Sequence, residues 1–118
     1  KAVPNILVAK LPDSKKWQVL DRQGQVLCRE LVDDYYFFPL GFKCEKAGLT
    51  AIFDLSGRQV TDFVYKNAFR SFDTVEDAEK RARALGLPEG TRLVCQATNP
   101  AGKSVYVDDT GREHEVKK

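Results

Sequence analysis

Apolar residues along this chain fall in short runs separated by turn-forming clusters. The runs are "NILVAKL" (5–11), "KWQVLD" (16–21), "QVLCRELV" (25–32), "GFKCEKAG" (41–48), "LTAIFD" (49–54), "RQVTDFV" (58–64), "TRLVCQA" (91–97), "KSVYVD" (103–108) and "REHEV" (112–116). Short β-prone runs bounded by Gly, Pro, Asn, Asp and Ser predict strands, and "PDSKK" after the first run predicts a loop. Between several of them stands the same punctuation, Asp-x-x-Gly: Asp21 and Gly24, Asp54 and Gly57, Asp108 and Gly111. Glycine can take the positive φ that closes a short hairpin loop. The aspartate carboxylate can accept from backbone amides further along the turn. Aligned on these aspartates, the chain reads as three units of strand, strand, turn, strand, which is an internal repeat.

The first two units run on into aromatic-rich segments, "LVDDYYFF" and "FVYKNAFRSF"; the third does not. One helical pattern interrupts the strands. "FDTVEDAEKRARALGLP" offers Asp73 or Thr74 as N-cap, an acidic residue three positions on, Gly86 as the terminating glycine and Pro88 beyond it. Val75, Ala78, Ala82 and Leu85 fall on one stripe, with Glu76–Lys80 and Glu79–Arg83 pairs on the other side. The predicted fold is therefore mainly β (α+β by count): about nine short strands in three antiparallel β-meander units, with one helix at about 74–85 inserted between the second and third. The length of 118 residues predicts one domain spanning 1–118, with units at 5–38, 41–72 and 91–116.

At "KKWQVLDRQGQV" and "AGLTAIFDLSGRQVTDFVYKNAFRSF" the sequence resembles WG-repeat (KWG) proteins, through Lys16, Trp17, Asp21, Gly24 and Val26, and through Asp54, Gly57, Val60, Tyr65, Ala68 and Phe72. Gln18 stands where that family has glycine after tryptophan, Thr50 and Ser104 replace the tryptophan, and the helix is an insertion. The resemblance covers roughly residues 5 to 72, and 91 to 116 more weakly. It implies a β-repeat scaffold used for binding rather than catalysis, and no particular ligand.

Charge changes the picture only by exclusion. Nineteen basic against 17 acidic residues leave a net charge of +2 without a block of like charge, so neither nucleic acid nor a membrane surface is an expected partner. No apolar run is long enough to span a membrane. Cys28, Cys44 and Cys95 are odd in number, widely spaced and set among apolar residues, which predicts buried free thiols in a reducing, cytoplasmic setting; a Cys28–Cys44 bridge in an exported protein is the alternative. The chain contains no methionine, position 1 included, so a trimmed or processed chain or a piece of a longer one is expected.

Several motifs carry less than they promise. "ATNPAGKS" (97–104) fits a relaxed phosphate-loop pattern, but a strand-like "VYVDD" follows where a helix N-terminus is needed, so a hairpin loop on Asn99-Pro100 and Gly102 is predicted. Asp109-Thr110-Gly111 matches the aspartic-protease tripeptide, yet it coincides with the third turn and a second carboxylate must come from elsewhere. His114 is the single histidine, predicted to be solvated, with Glu113 and Glu115 on the opposite strand face. No metal site, cofactor or nucleophile–base pair is expected, and no enzymatic activity.

The densest feature is "DDYYFFPLGF" (33–42). As a strand it would turn half its rings away from the core, and exposed rings make large, stiff contact surfaces. Tyr35, Tyr36 and Phe38, with Tyr65 and Arg70 from the matching segment of the second unit, are the candidate protein-binding residues. Core filling on both faces of a central segment is the competing use of those rings. The expected function is a non-enzymatic protein–protein interaction module with another protein as partner. A small inhibitor or immunity protein that neutralises a toxin or enzyme is the alternative.

Overall fold

The computed structural model describes residues 6–12, 15–28 and 30–116; the predicted positions Asn5, Asp13, Ser14 and Arg29 lie outside them. The described chain is mainly β with three sheets and a single helix. Nine strands are described: β1 (Leu7–Lys10), β2 (Trp17–Leu20), β3 (Asp34–Phe38), β4 (Gly41–Lys46), β5 (Leu49–Asp54), β6 (Lys66–Phe69), β7 (Leu93–Thr98), β8 (Ser104–Asp108) and β9 (Glu113–Glu115). Helix α1 (Val75–Ala84) lies between β6 and β7, as predicted.

The three Asp-x-x-Gly turns share one hydrogen-bond pattern. Asp21 Oδ1 accepts from the amides of Gln23 and Gln25, both at 2.9 Å. Asp54 Oδ1 accepts from Ser56 and Arg58, and Asp108 Oδ1 from Thr110 and Arg112, at 2.9–3.0 Å. Each glycine amide donates to its aspartate's carbonyl at 3.1 Å. Gly24, Gly57 and Gly111 have φ of 87°, 95° and 88°, conformations that L side chains enter only with strain. The Asn99–Gly102 hairpin uses the same device with an amide oxygen: Asn99 Oδ1 accepts from Ala101 and Lys103, and Gly102 has φ 83°.

Strand pairing differs from three self-contained meanders. The strand that follows each turn segment pairs with the first strand of the next unit, giving sheets β3-β4-β5 and β6-β7-β8-β9 beside the pair β1-β2. "QVLCRELV" and "RQVTDFV" are not strands. They touch their sheets through single bridges, Leu20–Val26 and Trp17–Val32 in one case and Phe53–Gln59 in the other, with Thr50–Tyr65 just past its end. Val26, Leu27, Val60 and Val64 thus run along the sheets as irregular chain, with the local ladder left short.

Register explains the cores. In the middle sheet, Tyr35, Phe37, Phe42, Cys44, Ala51 and Phe53 share one face, and Tyr36, Phe38, Lys43 and Ile52 share the other. The first face packs on Val19, Cys28, Val32 and Ile6 of the first unit. From the second face, Phe38 and Ile52 pack on Val94, Cys95, Ala97, Val105 and Val107 of the last sheet. A central sheet buried on both faces needs no apolar–polar alternation, so "AIF" can be fully buried in succession. The row one residue before each turn aspartate therefore looks back at the preceding sheet, and the row two before looks forward. Extents of 46 × 34 × 19 Å fit such a row of thin sheets.

The turns mark the same stacking. A Cβ at Gly57 would stand 2.5 Å from Leu27 Cδ1, and one at Gly111 would stand 2.4 Å from the Val60 carbonyl oxygen. Leu27 and Val60 are each six residues past their own unit's turn aspartate, so successive turns rest on equivalent positions. At Gly24 nothing lies within 4 Å.

Helix α1 closes the far end. Thr74 is its N-cap, with Oγ1 accepting from the Asp77 amide at 3.0 Å. Gly86 ends it at φ 72°, its amide bonding to Arg83 and that of Leu87 to Ala82, a Schellman arrangement. Ala78 and Ala82 pack on Leu93, Tyr106, Leu40 and Phe72. Val75, predicted on the apolar stripe, is instead exposed.

Candidate functional site

The five predicted binding residues separate into two groups. Phe38 (6% exposed) and Tyr65 (3%) are core, not surface: Phe38 sits on the forward face of the middle sheet, and Tyr65 is sealed by the last sheet. The Tyr65 hydroxyl donates to Glu113 Oε2 at 2.6 Å, and burial together with that carboxylate pushes its pKa up. Both residues are thereby withdrawn from any surface, because each fills the joint between two sheets. Tyr35 is half-buried. Its ring meets Trp17 edge-on at 5.1 Å and Phe37 at 5.8 Å, at the rim of the joint between the first two sheets.

Tyr36 and Arg70 are brought together. Tyr36 points to the forward face of β3, beyond the part that the last sheet covers, and stays 47% exposed. Arg70 follows β6 and lays its guanidinium 5.5 Å from the Tyr36 ring centroid, with Nη2 3.5 Å from the Phe37 carbonyl oxygen. Lys43, paired with Tyr36 in the ladder, donates to the Ala68 carbonyl at 2.8 Å and ties β6 to this edge. An exposed cation–π contact contributes about 0.5–1 kcal/mol, enough to hold a surface ring in place.

Two neighbours were not singled out by residue type alone. Phe37 (39% exposed) and Phe69 (49%) are adjacent in sequence to the pair and exposed. Phe37 belonged to the aromatic run; for Phe69 the available signal was its place beside the Arg70 already named.

The phosphate-loop-like, protease-like and histidine motifs resolve locally. Ser104 opens strand β8, so Gly102-Lys103-Ser104 precedes no helix. Asp109-Thr110-Gly111 lies within the third turn, where the Thr110 hydroxyl donates to Asp108. His114 is not solvated as expected: its ring bonds Asp108 Oδ2 at 2.8 Å, because β9 turns it toward the forward face with Asp108. Burial pushes the Asp108 carboxyl up, but bonds from the Thr110 hydroxyl, His114 and two amides outweigh that and leave it below its usual range. Asp109 is raised by burial despite Arg92 beside it.

All three cysteines are free and buried. Burial pushes the Cys28 and Cys44 thiols up and takes Cys95 to about 12, so none has the thiolate character of a reactive cysteine. Among the described residues no group of three or more His, Cys, Asp or Glu is placed to hold a metal ion. No described helix is long and apolar enough to cross a membrane. An open groove of about 680 Å³ runs between Leu27, Glu30, Gln59, Val60, Thr61 and Asp62. Compared with protein-family models, curated proteins and solved structures, the chain finds no match.

Proposed function

We propose that this chain is a non-enzymatic protein-binding module that presents Tyr36 and Arg70 to another protein. The observation that carries the reading is an exposed tyrosine already held by an arginine. Tyrosine and arginine dominate interface energetics, and a ring pinned before contact loses little entropy on binding. The scaffold behind them is a stack of sheets with aromatic rims, for which the WG-repeat resemblance supplies the origin, supported by the recurring turn. Three buried, unpaired thiols support a reducing, cytoplasmic location.

The test compares wild type with Tyr36→Ala/Arg70→Ala as bait, the captured protein then being purified and titrated against both. Both positions are exposed, so melting temperature is expected to stay within a few degrees. Affinity should fall by more than about thirtyfold, as for a typical hot spot. Equal affinity of the two baits would refute the reading.

A further inference from the structure

Strand β3 forms the outer edge of the middle sheet, and its open side presents backbone donors and acceptors. The sheet runs β3-β4-β5, with no strand on the other side of β3 among the described residues. In an antiparallel ladder, alternate residues turn both amide and carbonyl toward the partner strand or away from it. The Tyr35 amide donates to Asp34 Oδ1 at 2.8 Å, and the Phe37 carbonyl oxygen accepts from Arg70 Nη2 at 3.5 Å. Residues 35 and 37 therefore turn their backbone groups outward, where only the side chains of exposed residues meet them.

The other outer edges are poorer templates. β5 is bridged on its outer side at Phe53–Gln59 and Thr50–Tyr65. β1 and β6 have four residues each, β6 with a register shift and with Asn67 at φ 52°, and β9 has three. β3 pairs with β4 over five consecutive residues without a shift. Charge is also ordered along β3. On the forward face Asp34 lies opposite Glu45, whereas Tyr36 lies opposite Lys43 and beside Arg70. That face is thus acidic at residue 34 and basic at residue 36. The other face carries the rings of Tyr35 and Phe37.

We propose that the open edge of β3 takes up an extended segment of the partner protein as an added antiparallel strand, with an acidic residue opposite Tyr36 and, two positions later, a basic residue opposite Asp34. The proposal rests on the reading of Tyr36 and Arg70 as the protein-binding surface and states how the partner is held. The outward groups of residues 35 and 37 exchange their bonds to the Asp34 and Arg70 side chains for main-chain bonds to the segment. Released from Phe37, the Arg70 guanidinium meets the incoming carboxylate, and Asp34 meets the incoming cation. Apolar residues opposite Phe37 and Tyr35 cover those rings on the other face. From its N-terminal end the segment therefore reads apolar, acidic, apolar, basic.

The probe is the end-blocked peptide "TVEVKVT", titrated into the full chain and followed by amide chemical shifts up to about 1 mM, the weak end of specific binding. Saturable shifts are expected at the Tyr35 and Phe37 amides. N-methylation of the two valines flanking the glutamate, whose amides face β3, should weaken binding at least about tenfold, whereas N-methylation of the glutamate and lysine, whose amides face away, should leave it within about threefold. The charge-exchanged peptide "TVKVEVT" should bind more weakly to wild type and more tightly to Asp34→Lys/Arg70→Glu, both changes being at exposed positions. No shift at residues 35 and 37 overturns the proposal, and so does a valine-methylated peptide that binds as well as its parent. Loss of partner capture by the Tyr36→Ala/Arg70→Ala bait together with such methylation-insensitive binding removes the added strand and keeps the surface; equal capture by the two baits removes the surface itself.

Discussion

Replacing the three turn glycines one at a time with alanine separates the demand of the turn from the demand of the stack. All three have φ between 87° and 95°, so each alanine meets the same left-handed backbone, at about 1–2 kcal/mol. Surroundings then set them apart. A methyl at position 24 meets nothing within 4 Å, so only that backbone cost is expected. At 57 it meets the end of the Leu27 side chain at 2.5 Å, which can rotate away, adding about 1 kcal/mol of overpacking. At 111 it meets the Val60 backbone carbonyl at 2.4 Å, which cannot move without shifting a whole segment. That adds about 2–3 kcal/mol or more, for a total of about 3–5. Urea denaturation followed by tryptophan fluorescence from Trp17 and by circular dichroism reads the differences. The expected order of loss is Gly24→Ala, then Gly57→Ala, then Gly111→Ala, with equal m-values. Equal losses at 24 and 111 would mean that the third turn does not press on the second unit, and the stacking would fail with it.

Two further outcomes follow from the turn chemistry. Asn99 performs with an amide the task that Asp54 performs with a carboxylate, so Asp54→Asn should cost under about 1 kcal/mol, whereas Asp54→Ala leaves the exposed Ser56 and Arg58 amides to water and should cost about 0.5–2, as loss of a cap does, measured by urea titration. The Asp108 carboxyl is held below its usual range, so the folded state keeps it ionised where the unfolded chain binds a proton. Its contribution is complete above the unfolded pKa of about 4 and is lost as pH falls through the lower folded value, so unfolding free energy should drop as pH falls below about 4. Asp108→Asn should flatten that drop, and an unchanged slope would show that the carboxyl is not so held.

Legibility of the fold varied with the range of the interaction involved. The turn at Asp54–Gly57 and the helix between Thr74 and Gly86 are fixed by hydrogen bonds within a few residues, so their residue types announce them. Strand pairing across units is not local: nothing in "DYYFF" says that its partner is "GFKCE" of the next unit rather than its own hairpin. "QVLCRELV" has the residues of a strand, yet among its described residues only Val26 and Val32 bridge, while Leu27 is set against the Gly57 turn of the next unit. Burial on both faces of the middle sheet likewise hid the split among the aromatics. Tyr36 and Phe38 point the same way, and only the extent of the last sheet leaves one wet and the other dry. Arg70 over Tyr36 joins two segments whose proximity depends on the β6–β7 pairing, which composition alone does not supply.

The second and third turns rest on equivalent positions of the units before them, Leu27 and Val60. Nuclear Overhauser contacts in solution test this most directly. Cross-peaks are expected from Gly57 Hα to the Leu27 methyls and from Gly111 Hα to the Thr61 methyl, whose carbon lies 3.6 Å from the Cβ position of residue 111. Gly24 Hα should give no contact beyond its own turn. Absence of both inter-unit cross-peaks, with the intra-turn contacts of all three glycines present, would contradict it.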